Sequence, residues 1–228
     1  MTKSNLVKNK KIKNTYLDSA SGYLPNPSSI HMLGVEAKNK LNSARIQVAG
    51  VLNARSKEII FTSGGTESNN LAIQGVVLKN QSKILPHIIT TNIEHASVLE
   101  TFKSLEKRKL AEITILPVEN NGILNPKIFR KSLKKNTVLV SVMYANNEIG
   151  TIQPISDIAK EIRHFNKLNN KNILFHVDAV QAVNYLDLNV EHLGVDLLSL
   201  SGAKIDKGGR IGVLYKRSGV EILPIMYG

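Results

Sequence analysis

The chain has 228 residues, of which 42% are hydrophobic, with a formal net charge of +12 and no cysteine. The lack of cysteine excludes disulfides, cysteine-ligated zinc and a thiol nucleophile within these residues. The sequence has no run of about eighteen apolar residues, so no membrane span is predicted, and its first residues do not have the apolar stretch of a signal peptide. The charge could attract phosphate backbones, but no aromatic residues are interleaved with the lysines and no nucleic-acid motif is present, so nucleic-acid binding is not expected as the primary function.

Residues 1–14 are predicted to be a basic, poorly ordered tail, and residues 15–228 a single cytoplasmic domain. Within residues 28–53, apolar side chains recur at spacings of three and four, which predicts a long amphipathic helix. Ser28 or Ser29 is the expected N-cap of that helix.

Seven short apolar runs then alternate with four helical segments. The predicted strands are 58–62, 87–91, 112–117, 137–143, 172–178, 196–202 and 211–216, and the predicted helices are 66–79, 95–109, 125–135 and 154–169. Apolar strands separated by helices indicate an α/β fold with a mostly parallel seven-stranded sheet flanked by helices on both faces. The last two runs are close together, so the final strand is a candidate for antiparallel pairing.

Ligands of such a sheet bind at the carboxyl ends of the strands. The stretch "FTSGGTESNN" (61–70) reads as a strand, a glycine turn and a helix start. Gly65 permits close approach of the backbone, the helix start offers N–H groups, and Thr66 adds a hydroxyl, which together suit one phosphate. An ordinary tight turn explains the same stretch equally well.

Other polar residues follow the remaining strands. Asp178 is a carboxylate at a buried strand end, which needs a positive partner or simply caps the next turn. Lys204 follows an apolar run, where a desolvated lysine can form a Schiff base, although most lysines there reach to solvent. His95 can stack on a flat ring or begin a helix, and Asn147 and Gln181 can bond a ring hydroxyl or serve in turns.

Taken jointly, a phosphate turn, a carboxylate, a histidine and a lysine describe a site for pyridoxal phosphate. Its chemistry needs a carboxylate at the ring nitrogen and a lysine at the aldehyde. This joint pattern is more specific than any one of its members.

From residue 16 onward, the stretches "YLDSAS", "NPSSIH", "FTSGGTESNN", "TTNIEHASV", "YANNEIG", "FHVDAVQAV" and "LSLSGAK" follow one another in an order that resembles the cysteine desulfurases. These belong to the class V aminotransferase group of pyridoxal-phosphate enzymes, which have the type I fold. The family removes sulfur from L-cysteine, giving alanine and a protein-bound persulfide. The resemblance also implies a homodimer or a complementing second chain, and an iron–sulfur scaffold protein as partner.

The resemblance assigns roles to eight positions. Lys204 matches the Schiff-base lysine, Asp178 the partner of the ring nitrogen, and His95 the histidine that stacks on the ring and moves protons. The other matches are to the residues near the ring hydroxyl and to the phosphate ligands: Gln181, Asn147, Gly65, Thr66 and Ser201.

The sequence also departs from the family pattern. Ala203 stands where the family has histidine before the lysine, and the segment at Gly22–Pro25 is shorter than in the family. The family continues beyond the end of this chain with a cysteine loop and a small C-terminal domain, so the chain is expected to be the cofactor domain alone, with impaired activity. A non-catalytic remnant of the family is the alternative.

Overall fold

The computed structural model describes residues 25–205 and 209–227. The predicted tail at 1–14 lies outside these residues, and the extent of the predicted domain, 15–228, stays a prediction. The chain divides into two compact units, residues 1–44 and 45–228. None of the helices in the described part of the chain is long and apolar enough to cross a membrane.

Six α-helices and seven strands form the described structure. The helices are α1 (Met32–Val51), α2 (Gly65–Lys79), α3 (Ala96–Lys107), α4 (Pro126–Ser132), α5 (Ile155–Asn169) and α6 (Val190–Leu193). The strands are β1 (Ile59–Thr62), β2 (His87–Thr91), β3 (Glu112–Leu116), β4 (Thr137–Met143), β5 (Leu174–Asp178), β6 (Leu197–Ser201) and β7 (Gly212–Lys216).

The strands form one sheet in the order β1-β7-β6-β5-β4-β2-β3. The pairs from β6 to β3 are parallel, whereas β7 runs antiparallel to both β6 and β1. The predicted α/β class, the mostly parallel seven-stranded sheet and the antiparallel final strand are therefore confirmed. The chain passes from β2 to its neighbour β3, at the edge of the sheet, and then returns to place β4 on the other side of β2. This reversal makes a topological switch point between β2 and β4.

Successive residues of the central strands point to opposite faces of the sheet, and both faces are covered. The core that includes α2 and α3 takes one residue from each central strand: Leu139, Leu174 and Leu197. The core that includes α4 and α5 takes the next residue of each strand: Val140, Phe175 and Leu198. Burial on both faces explains why the strands read as continuous apolar runs.

The prediction for the first helix is wrong about where the helix begins and which residue caps it. Helix α1 begins at Met32, and the side chain of His31 accepts a hydrogen bond from the N–H of Gly34 (3.1 Å), so His31 takes the capping place predicted for Ser28 or Ser29. Near its C-terminal end, Ala49 of α1 is buried in the core and Val48 packs against it. Spacing located the helix but not the residue at which it begins.

Candidate functional site

The eight residues singled out in the sequence all line one cavity of about 190 Å³. Five further residues complete its lining: Asn69, Ser97, Met143, Ala145 and Val180. The cavity lies at the carboxyl ends of β4, β5 and β6, where parallel sheets bind ligands.

The elements that carry the eight residues explain why they meet. Asp178 and Ser201 are the last residues of β5 and β6, and Lys204 ends the 3-10 turn that follows β6. Gly65 and Thr66 begin α2, and His95 is the N-cap of α3. Asn147 and Gln181 lie in the turns after β4 and β5.

The face of the sheet that meets α2 changes from apolar to polar toward the cavity. Along β5, Leu174 lies in the core, His176 comes next on the same face, and Asp178 reaches the cavity. The ring of His176 bridges two hydroxyls, Ser141 Oγ on β4 (2.8 Å) and Ser199 Oγ on β6 (2.9 Å). Three strands are thus joined by side chains just before they present the cavity residues.

Asp178 is buried, with 5% of its surface exposed. Its Oδ2 accepts a hydrogen bond from Asn69 Nδ2 (2.7 Å) and its Oδ1 accepts one from the Val180 N–H (3.0 Å). Burial raises the pKa of Asp178, while these two hydrogen bonds and the charge of His95 act to lower it. Within residues 25–205 and 209–227, no lysine or arginine forms an ion pair with this carboxylate.

A hydrogen-bond chain runs from Asp178 to His95. Asn69 Nδ2 also donates to Ser97 Oγ (2.9 Å), and Ser97 Oγ lies 2.8 Å from His95 Nδ1. The backbone N–H of Ser97 donates to the same Nδ1 (3.1 Å), so the neutral ring carries its proton on Nε2.

Asn69 and Ser97 were missed in the sequence. The available signal was spacing, because Asn69 follows Gly65 by four residues and so lies on the same helix face. Ser97 stands two residues after His95, within reach of the ring that caps the same helix.

The start of α2 packs tightly against the turn after β5. A Cβ atom added at Gly65 would lie 2.6 Å from Val180 Cγ2 and 3.4 Å from Ser201 Cβ. Only glycine lets the first helical turn, with its N–H groups that lack intrahelical acceptors, come this close to the strand ends. The dipole of α2 adds positive potential at the same end.

The turn that carries Lys204 is fixed by its neighbours. The N–H of Gly202 donates to the carbonyl oxygen of Ile211 (2.7 Å), and Asn184 Nδ2 donates to the carbonyl oxygen of Lys204 (2.6 Å). Ala203, which replaces the histidine expected from the family, is exposed and does not line the cavity.

The sheet order and the cavity define an α/β protein whose ligand site is built from strand ends and one helix start. The sequence profile of the family described as Aminotransferase class-V matches residues 8–228. The chain belongs to the class V aminotransferase family, whose members, including the cysteine desulfurases, depend on pyridoxal phosphate.

The proteins that the chain resembles include cysteine desulfurases. The chain is 47% identical over 203 residues to the protein named cysteine desulfurase IscS of Dictyoglomus turgidum, covering 89% of this chain and 50% of that protein. Among solved structures, one titled SspA in complex with cysteine has a TM-score of 0.84 and 36% identity, covering 92% of this chain and 59% of that one. A NifS-like protein has a TM-score of 0.82 and 39% identity, covering 89% and 54%. The chain spans about half the length of the curated relatives that it matches.

Proposed function

We propose that this chain binds pyridoxal phosphate in the cavity and takes part in removing sulfur from L-cysteine. The observation that carries the proposal is the buried carboxylate of Asp178, which forms no ion pair with a lysine or arginine in the described part of the chain. A protonated pyridine nitrogen would add a positive charge to the two hydrogen bonds that Asp178 already accepts, and this would favour the charged form of the buried carboxylate.

The rest of the cavity fits the same cofactor. The close approach at Gly65 and the N–H groups that begin α2 suit a phosphate, which Thr66 and Ser201 would also bind. Lys204 Nζ would hold the aldehyde group. The ring hydroxyl would bond to Asn147 and Gln181.

When bound, pyridoxal phosphate withdraws electrons from the amino acid attached to it. The chain's own residues then have three tasks. Asp178 would keep the ring nitrogen protonated, the network through Asn69 and Ser97 would hold the His95 ring at the cavity, and Lys204 Nζ would accept and return protons.

In the overall reaction the carbon–sulfur bond of L-cysteine breaks, alanine is released, and sulfur passes to an acceptor thiol. These 228 residues contain no cysteine, so the acceptor thiol comes from outside them. We further propose a homodimer or a complementing second chain, an iron–sulfur scaffold protein as the sulfur recipient, and a cytoplasmic location. These partners follow from the similarity to the cysteine desulfurases.

The test begins with cofactor uptake. Cofactor-free protein is titrated with pyridoxal phosphate and dialysed, and its visible absorbance is recorded. We expect a new band in the wild type that Lys204→Ala abolishes, and an affinity about tenfold lower or worse in Asp178→Asn, because a buried charge pair is broken. Lys171→Ala and Asp157→Asn, both at exposed positions away from the cavity, are the matched controls.

A wild type that takes up no cofactor would overturn the proposal. If the cofactor binds, alanine release from L-cysteine with added dithiothreitol as thiol acceptor tests the reaction. Cofactor uptake without any alanine would favour the non-catalytic alternative.

A further inference from the structure

Glu94 is a buried carboxyl group directly before the cavity residue His95. It lies in the turn between β2 and α3, its side chain is 6% exposed, and it does not line the cavity. A carboxyl group is rarely buried without a partner, so its contacts define what it does.

Glu94 ties together the ends of two neighbouring strands. Its Oε1 accepts hydrogen bonds from Thr91 Oγ1 (2.6 Å) and from the backbone N–H of Met143 (3.0 Å). Thr91 ends β2, and Met143 ends β4, where it pairs in register with Asp178. The tie therefore lies beside the carboxylate proposed to bind the ring nitrogen.

A second contact joins the same two segments. Asn146 Nδ2 donates to the carbonyl oxygen of Ile93 (2.9 Å), so the turn that leads to His95 is held to the turn that carries Asn147. Together with Glu94, this contact fixes two cavity-lining turns relative to each other.

The second oxygen of Glu94 has different surroundings. Oε2 is buried and has no hydrogen-bond partner within residues 25–205 and 209–227. Among the described residues, the groups of β2 and β4 that bond to Glu94, on Thr91 and Met143, are uncharged. The charge of Asp178 acts on Glu94, and the charge of His95 acts on Asp178. Burial is the main cause that raises the pKa of Glu94 to about 8, and the charge of Asp178 adds to the rise. The hydrogen bonds from Thr91 and Met143 act to lower this pKa.

We propose that Glu94 is a positioning residue for the cofactor site, which it braces as an uncharged carboxylic acid. In this form Glu94 holds the turn before His95 against the end of β4 and adds no negative charge beside Asp178. The inference deepens the proposed function and rests on it for the role toward the cofactor, whereas the proton on Glu94 can be tested without any cofactor.

The first test measures unfolding of the cofactor-free chain at pH 6 and pH 9. A carboxyl group whose pKa is raised on folding contributes stability that is full below pH 4.5 and lost as the pH rises through about 8. Between pH 6 and pH 9 the folding equilibrium constant of the wild type should therefore fall about a hundredfold more than that of Glu94→Gln. Glu106→Gln, the same change at an exposed position of α3, should behave as the wild type does.

The second test measures the dissociation constant of pyridoxal phosphate at pH 7 by equilibrium dialysis. Glu94→Gln keeps an uncharged acceptor for Thr91 and Met143, so its affinity should stay within about threefold of the wild type. Glu94→Ala removes the acceptor and should weaken binding by about tenfold or more. Thr91→Val, a milder change than Glu94→Ala, removes one of the two donors and should give an intermediate loss.

The outcomes separate the two proposals. If the folding equilibrium constants of the wild type and Glu94→Gln changed equally between pH 6 and pH 9, Glu94 would not be an uncharged acid in the folded chain. An affinity loss as large in Glu94→Gln as in Glu94→Ala would also overturn the uncharged state. Unchanged affinity in Glu94→Ala would overturn the positioning role. If the wild type binds no pyridoxal phosphate, the proposed function and the positioning role fail together. The unfolding data would still show whether Glu94 is protonated in the folded chain.

Discussion

His176 connects the three central strands two residues before the cavity, and its burial should make the protein sensitive to acid. Its two ring nitrogens bond to Ser141 and Ser199, and the ring is fully buried. Burial lowers the pKa of His176 from 6.5 to about 3. The folded protein thus keeps the ring neutral at a pH where the unfolded chain protonates it.

The sign and size of the effect follow from this difference. A histidine whose pKa is lowered on folding contributes stability that is full above pH 6.5 and lost as the pH falls toward 3. At about 1.36 kcal/mol per pH unit, His176 alone should lower the free energy of unfolding by about 2.5 kcal/mol between pH 6 and pH 4.

Urea unfolding followed by circular dichroism at pH 6 and pH 4 measures this effect in the cofactor-free protein. The loss of stability between the two pH values should be about 2.5 kcal/mol smaller in His176→Gln than in the wild type. His164→Gln, at an exposed position, is the control and should lose as much as the wild type. Burial also lowers the pKa of His87, to about 4. Because His87 is present in all three proteins, its contribution to the loss of stability cancels in the comparison. If the wild type and His176→Gln lost the same stability, the folded protein would be shown to accommodate the protonated ring, and the reasoning would be wrong.

Two further predictions concern packing and assembly. Gly65→Ala should destabilise the protein by about 1–3 kcal/mol and weaken pyridoxal phosphate binding, because its Cβ would meet Val180 Cγ2 at 2.6 Å. Gly50→Ala, whose Cβ meets nothing within 4 Å, should instead be neutral or slightly stabilising in the same urea titration. Light scattering should show an oligomer or aggregates, since large apolar side chains such as Tyr185 (81%) and Ile149 (59%) are exposed. A monodisperse monomer would contradict that expectation.

The sequence alone determined the elements of the sheet. Each predicted strand lies within two residues of the observed one, because strands buried on both faces are short apolar runs with clear ends. The same pattern located Asp178 and Ser201, since the last polar residue after such a run falls at the carboxyl edge of the sheet. The profile match and the similar structures confirm the family and the fold that the motifs indicated.

Only the tertiary structure decided which polar groups meet. Asn69 bonds to a carboxylate 109 residues away, and Glu94 becomes a buried group only because β4 lies beside β2. Spacing within an element cannot reveal such pairs, because they depend on strand order and on which face of a helix is covered. The start of α1 is a further example, because spacing located the helix but did not reveal that His31 caps it. Local pattern is set by the chain's own geometry, whereas burial and charge at the site are set by neighbours that are distant in sequence.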